Sequence, residues 1–96
     1  MKEILLVEDD KTLSYGLCMA LSSEQIHVDT CFNLKFAKEA LKKKAYDLVI
    51  LDVNLPDGSG IDLLKEIRAQ SLMSVILLTA NDTEMDVVTG LELGAD

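Results

Sequence analysis

The sequence predicts an α/β domain in which a parallel sheet is covered by helices, and three observations predict it. Four short segments rich in leucine and β-branched residues recur along the 96 residues: Ile4–Val7, Ile26–Thr30, Leu48–Leu51 and Val75–Thr79. Each is followed by a stretch whose apolar residues fall at helical spacing. The run Leu48–Leu51 is apolar at consecutive positions, the pattern of a strand buried on both faces. Right-handed crossovers then put the carboxyl end of every strand on one sheet edge. In open sheets of this kind, ligands bind at that edge where strand order reverses.

The first strand runs into Glu8-Asp9-Asp10, and the helix after it places Leu13, Leu17, Ala20 and Leu21 on one face. Asp9 and Asp10 can cap that helix, Asp being a favoured N-cap, or belong to a site. The second strand carries His27, the only histidine, expected to face solvent or be hydrogen-bonded rather than to catalyse. Its helix buries Leu34, Ala37 and Leu41 and leaves Lys38, Lys42, Lys43 and Lys44 to solvent and to the helix's negative end.

The third strand ends in Asp52, followed by the polar turn Val53-Asn54-Leu55-Pro56-Asp57-Gly58. Ser59-Gly-Ile-Asp62 has capping-box spacing, with Asp replacing the usual Glu. It starts the third helix at Ser59 and buries Ile61, Leu64 and Ile67. After the fourth strand, Asn81, Asp82 and Thr83 offer caps for a helix that carries Val87, Val88 and Leu91 and stops at Gly94.

No Pro-, Gly- or Ser-rich stretch divides the chain, so it reads as one domain, 1–96. Nine basic residues against seventeen acidic ones leave a net charge of -8, which disfavours binding of nucleic acid or an anionic membrane by this segment. Cys18 and Cys31 form no metal-ligand spacing and no disulfide framework; two buried, reduced thiols in a cytosolic protein are expected. Neither a membrane span nor a signal pattern is present, so a cytoplasmic location is expected.

The shared sheet edge would gather Glu8, Asp9 and Asp10 from the first strand, Asp52 from the third and Thr79 from the fourth. Such carboxylates repel one another unless a cation sits among them. A carboxylate attacks phosphorus when a metal neutralises the incoming oxygens, which makes Asp52 a candidate nucleophile. Mg2+ takes one or two carboxylates plus carbonyl, water or phosphate oxygens. Asp9 and Asp52 can supply the carboxylates, Glu8 can act directly or through water, and the Asn54 carbonyl is a natural further ligand. Thr79 could donate its hydroxyl to a phosphoryl oxygen. Taken singly, Asn54, Asp57 and Gly58 read as plain turn residues and Thr79 as a strand end; only their convergence favours a site. Gly-rich phosphate loops are absent, which disfavours dinucleotide binding and P-loop chemistry.

Four stretches resemble the receiver domain of bacterial two-component response regulators: Ile4 to Asp10, Asp47 to Gly60, Val75 to Ala80 and Gly90 to Asp96. The resemblance implies the flavodoxin-like (CheY-like) parallel sheet in the order 2-1-3-4-5. It implies that Asp52 accepts a phosphoryl group from a sensor histidine kinase, with Mg2+ held by Glu8, Asp9, Asp52 and the Asn54 carbonyl. Thr79 would move towards that group and switch a surface near the fourth helix. The only reaction implied is self-catalysed transfer and hydrolysis at Asp52, not turnover of an external substrate.

The family's fifth strand and helix, with an aromatic switch residue and a Lys followed by Pro, would lie past Asp96. The chain thus reads as a receiver incomplete at its carboxyl end, with its effector domain absent. The stretches Leu55 to Gly60 and Gly90 to Asp96 look most like those of regulators carrying a winged-helix DNA-binding domain. An open sheet edge makes an edge-paired or domain-swapped homo-oligomer the physical expectation. Two other readings compete: a receiver-like interaction module that works without phosphorylation, and an aspartyl-phosphate phosphohydrolase. For the latter, Asp52-Val-Asn54 resembles the haloacid-dehalogenase nucleophile motif, but that motif expects its strand first in the domain and a cap insertion nearby.

Overall fold

A computed structural model describes residues 1–78. Strands β1 (Lys2–Val7), β2 (Ile26–Cys31), β3 (Leu48–Asp52) and β6 (Ser74–Leu78) form one sheet in the order β2-β1-β3-β6. All three pairings are parallel. Helices α1 (Lys11–Leu21), α2 (Leu34–Lys43) and α3 (Gly60–Gln70) connect them, and a short hairpin of β4 (Asn54–Leu55) and β5 (Gly58–Ser59) lies between β3 and α3. The expected order 2-1-3-4 is therefore observed, with β6 as the fourth strand. Thr79 and the fourth helix lie outside the described residues.

Alternation along each strand sends its two apolar sets to opposite faces. Leu5 and Val7, with Val49, Leu51 and Val75, pack with Leu34 and Ala37 of α2 and Leu63, Leu64 and Ile67 of α3. On the other face Ile4, Leu6, Val28 and Ile50 pack with Leu17, Cys18 and Leu21 of α1. This two-sided burial explains the consecutive apolar runs. Leu5, Leu6, Val7, Val49 and Leu51 are wholly buried, each contributing about 1.5–3 kcal/mol from water exclusion.

Helix α2 packs Leu34, Ala37 and Leu41 into the core as expected, whereas α1 and α3 depart in part from the faces expected. In α1 the inward stripe is Ser14, Leu17, Cys18 and Leu21, while Leu13 and Ala20 are exposed. That stripe has the same helical spacing, but polar Ser14 hides it from a hydropathy reading. Cys18 is accordingly half-buried rather than buried, and only Cys31 is a buried thiol; both are free. In α3 the inward stripe is Gly60, Leu63, Leu64 and Ile67, so Leu63 takes the place expected of Ile61. Lys42 and Lys43 occupy the last turn of α2 and are exposed, as expected. Lys44 is half-buried and turns back onto β1 and β2 instead.

Helix starts follow their caps. Asp10 accepts the Leu13 N–H at 3.1 Å and Asn33 accepts the Phe36 N–H at 2.9 Å. Ser59 caps α3 as expected, accepting from Ile61 at 3.2 Å, and Asp62 places a negative charge in the first turn. Immediately after Ser59 the Gly60 N–H donates to the Val53 carbonyl at 2.8 Å. A Cβ on Gly60 would collide with the Asp52 backbone carbonyl, so the close return of α3 onto the end of β3 requires glycine there.

Gly60→Ala is expected to destabilise the domain by about 3 kcal/mol, read as a lower urea midpoint. Gly16→Ala, where an added Cβ meets nothing within 4 Å, is expected to stabilise it by about 0.5–1 kcal/mol.

Candidate functional site

At the carboxyl end of β1 the three consecutive acids are given three tasks. The Glu8 N–H donates to the Cys31 carbonyl at 3.0 Å, continuing the ladder one residue past the strand and holding its side chain in the protein. Its Oε1 accepts the Asp10 N–H at 3.1 Å. Asp10 turns away to cap α1, whereas Asp9 keeps an exposed carboxylate beside Glu8. The adjacent β3 ends in Asp52, whose Oδ1 accepts the Asn54 N–H at 3.1 Å. Glu8 and Asp52 are 4% and 5% exposed. One carboxylate oxygen from each of Glu8, Asp9 and Asp52 lies within 4.8 Å of the others.

Burial and mutual repulsion both oppose ionisation here. Burial pushes the Glu8 carboxyl up to about 7, only partly offset by the Asp10 N–H, and its hydrogen bond with Asp52 and the charges of Asp52 and Asp9 add to the rise. Asp52 is raised as well, first by burial and then by Asp9, while the Asn54 N–H and its bond with Glu8 pull it down. No ion pair joins any of the three to a basic side chain among the described residues. An all-oxygen, partly buried acidic set without a counter-ion has the chemistry of a site for a hard divalent cation.

A second group shows the contrast. Glu3, His27 and Asp29 also come within ligand distance of one another at the amino ends of β1 and β2. There Lys44 bonds Glu3 and reaches Asp29 at 3.0 Å, and the Tyr46 hydroxyl donates to Asp29 at 2.7 Å. These partners hold Glu3 and Asp29 below their ordinary values, although burial opposes the shift at Asp29. His27 is exposed and bonded to Glu3 at 3.0 Å, the structural role expected of it. This group already holds a cation, Lys44, between its two carboxylates.

Of the sequence-derived site residues, the structure brings Glu8, Asp9 and Asp52 together and sets Asn54 against Asp52 through its backbone. Thr79 lies outside the described residues. Asp57, read from the sequence as a turn residue, has a larger part: its Oδ1 accepts the Leu34 N–H at 2.8 Å and its Oδ2 the Lys35 N–H at 3.1 Å. The one available signal was that the first turn of α2 carries no acid of its own.

The family model for the response regulator receiver domain matches residues 4–96. The chain belongs to the response regulator receiver domain family. It is 40% identical over 95 residues to the transcriptional regulatory protein BasR of Escherichia coli (strain K12), a match covering 98% of this chain and 43% of BasR. It therefore spans less than half the length of that curated relative. Among solved structures, TrrA of Thermotoga maritima in complex with Mg(2+)-BeF superposes with a TM-score of 0.87 at 34% identity, covering all of this chain and 83% of that one. The beryllofluoride-activated NtrC4 receiver domain dimer superposes with a TM-score of 0.91 at 30% identity, covering 99% and 79%. Receiver domains are generally non-enzymatic signalling modules. No helix among the described residues is long and apolar enough to cross a membrane.

A carboxyl that binds its proton more tightly folded than unfolded lowers stability as pH rises between its two pKa values. For Glu8 that window runs from 4.5 to about 7. The depressed carboxyls Glu3, Asp29 and Asp57 act oppositely, but below their ordinary range. With chelator present, thermal unfolding at pH 5.5 is expected at a higher temperature than at pH 7.5. The difference should shrink in Asp52→Asn, which removes one of the repelling charges.

Proposed function

We propose that the chain is the phosphoacceptor switch of a two-component regulator, taking a phosphoryl group from a sensor histidine kinase onto Asp52. The observation that carries this reading is the gathering of Glu8, Asp9 and Asp52 at the ends of two adjacent buried strands, with no basic side chain among the described residues to neutralise them. The family match and the Mg(2+)-BeF complex of TrrA support it.

Mg2+ would be held by Asp9, Asp52 and the Asn54 carbonyl, with Glu8 bound directly or through water. When bound, it supplies positive charge to the oxygens of the transferring group. The protein's own residues do the remainder. The strand β3 pushes Asp52 to the sheet edge while 95% of its surface stays covered, which limits competing water. The Asn54 N–H fixes Oδ1 and so orients the carboxylate. Asp52 forms the new phosphorus–oxygen bond as the phosphorus–nitrogen bond to the kinase imidazole breaks. Thr79, next in sequence after the last residue of β6, is proposed to donate its hydroxyl to a phosphoryl oxygen and bias a two-state surface.

The output is proposed to be a DNA-binding domain, a reading supported by the similarity to the transcriptional regulatory protein BasR. The regulator would act in the cytoplasm, where its kinase presents the phosphohistidine. Assembly into a homo-oligomer is proposed by analogy with the NtrC4 receiver dimer.

Incubation with Mg2+ and a small-molecule phosphodonor is expected to add one phosphoryl group to the intact mass, and none to Asp52→Asn. A folded parent that takes no label would overturn the phosphoacceptor reading in favour of an interaction module. Independently of transfer, Mg2+ at a hundred times its Kd should stabilise the protein by about 2.7 kcal/mol, on the order of 10 °C in Tm. Asp9→Asn, an exposed position, should lose most of that gain.

A further inference from the structure

The segment after Asp52 is fastened to a helix that is distant in sequence. Asp57 accepts N–H groups from Leu34 and Lys35, the first two residues of α2, while Asn33 accepts from Phe36 through its side chain and from Ala37 through its carbonyl. The free amides of a helix start are normally left to water, a local cap or a ligand. Here a residue 22 to 23 positions away takes two of them with one carboxylate. It also supplies the negative charge that the first turn of α2 lacks. Those bonds hold the Asp57 carboxyl below its ordinary value.

An apolar contact accompanies the polar one. Leu55 of β4 and Leu34 of α2 are both buried in the same core. Gly58 lies so close to α2 that a Cβ would sit 2.8 Å from a Leu34 methyl, at a φ of 150° that side-chain-bearing residues rarely adopt. Only Pro56 and Asp57 separate β4 from β5, whose pairs are Asn54 with Ser59 and Leu55 with Gly58. A shift at Asp57 is thus passed through two rungs to Asn54, whose N–H holds Asp52.

We propose that Asp57 is a positioning residue: its carboxylate clamps the β4–β5 hairpin onto the start of α2 and thereby fixes the Asn54 backbone beside Asp52. The inference rests on Asp52 being the phosphoacceptor and on the Asn54 carbonyl being a cation ligand. It deepens that reading by assigning the rigidity of the acceptor loop to one side chain outside the acidic cluster. Groups that orient the residues around a metal typically change its affinity by about 10- to 100-fold when removed.

The test compares Asp57→Ala with Asn33→Ala. Both remove an acceptor from the start of α2, but only the first cuts the link to the hairpin. In metal-free protein, NMR-detected amide exchange at Asn54 and Gly60 is expected to quicken about tenfold in Asp57→Ala and to stay near the parent rate in Asn33→Ala. The Mg2+ Kd should rise about tenfold in the first and less than about twofold in the second. Asp57→Asn, which keeps one acceptor oxygen, should fall between parent and alanine, and it serves as the decisive variant if Asp57→Ala does not fold. Parent-like exchange at Asn54 in the Asp57 variants, or equal effects from Asn33→Ala, would reduce Asp57 to a plain helix cap and overturn the proposal. Failure of the parent to bind Mg2+ or take label would instead sink the phosphoacceptor reading, while the metal-free exchange comparison still decides whether the clamp exists.

Discussion

Two neighbouring parallel strands, β1 and β3, end side by side in acids, and the apolar core on both sides of the sheet forces those acids to remain there. Burying Glu8 and Asp52 next to each other and to Asp9 opposes folding, because each charge loses hydration and meets others of its own sign. Removing the conflict by moving the side chains would require pulling Leu5, Leu6, Val7, Val49 and Leu51 out of the interior. A small edge of unresolved repulsion is therefore maintained by a much larger apolar interior. A cation placed among these carboxylates would relieve that repulsion.

The two acidic clusters found among the described residues differ in their local partners. At the amino ends of β1 and β2, Glu3 and Asp29 meet Lys44, Tyr46 and His27. Burial, together with the Asp29 bond, pushes the Tyr46 hydroxyl up to about 12, so it stays protonated and donates. At the carboxyl ends no comparable cation is supplied by the described residues. Counting acids would rank the two clusters alike; asking what neutralises each one distinguishes them.

Around Asp52 the backbone does much of the positioning. The Asn54 N–H orients its carboxylate, the Gly60 N–H closes the loop onto Val53, and Val53 in turn donates to the Leu78 carbonyl of β6 at 3.0 Å. Asp57 joins this assembly to α2 from the other side. The end of β3 is thus tied to β6, α3 and α2 within a few residues.

The four sheet strands and the start of α3 were legible in the sequence, because each depends on local patterns: consecutive apolar residues, alternation of strand and helix, and the Ser59 cap; strand order came from the family resemblance, and the β4–β5 hairpin was read only as a turn. The coincidence of Glu8, Asp9 and Asp52 at one edge was legible too, since parallel right-handed crossovers leave few alternatives. What the tertiary structure alone decided involves choices between locally equivalent options. Helical spacing allows both the Leu13 and the Ser14 stripe of α1, and only docking onto Ile4 and Leu6 selects the one with a buried serine. Asp9 and Asp10 are equally good caps by type, and chain direction after Glu8 assigns the cap to Asp10. Lys44 looked like a solvated helix end until β1 and β2 brought carboxylates to it. Asp57 looked like any turn residue, because its hydrogen-bond partners are 22 to 23 positions away. Local physics is written in neighbouring residues, whereas a bond across that distance exists only once the chain has folded.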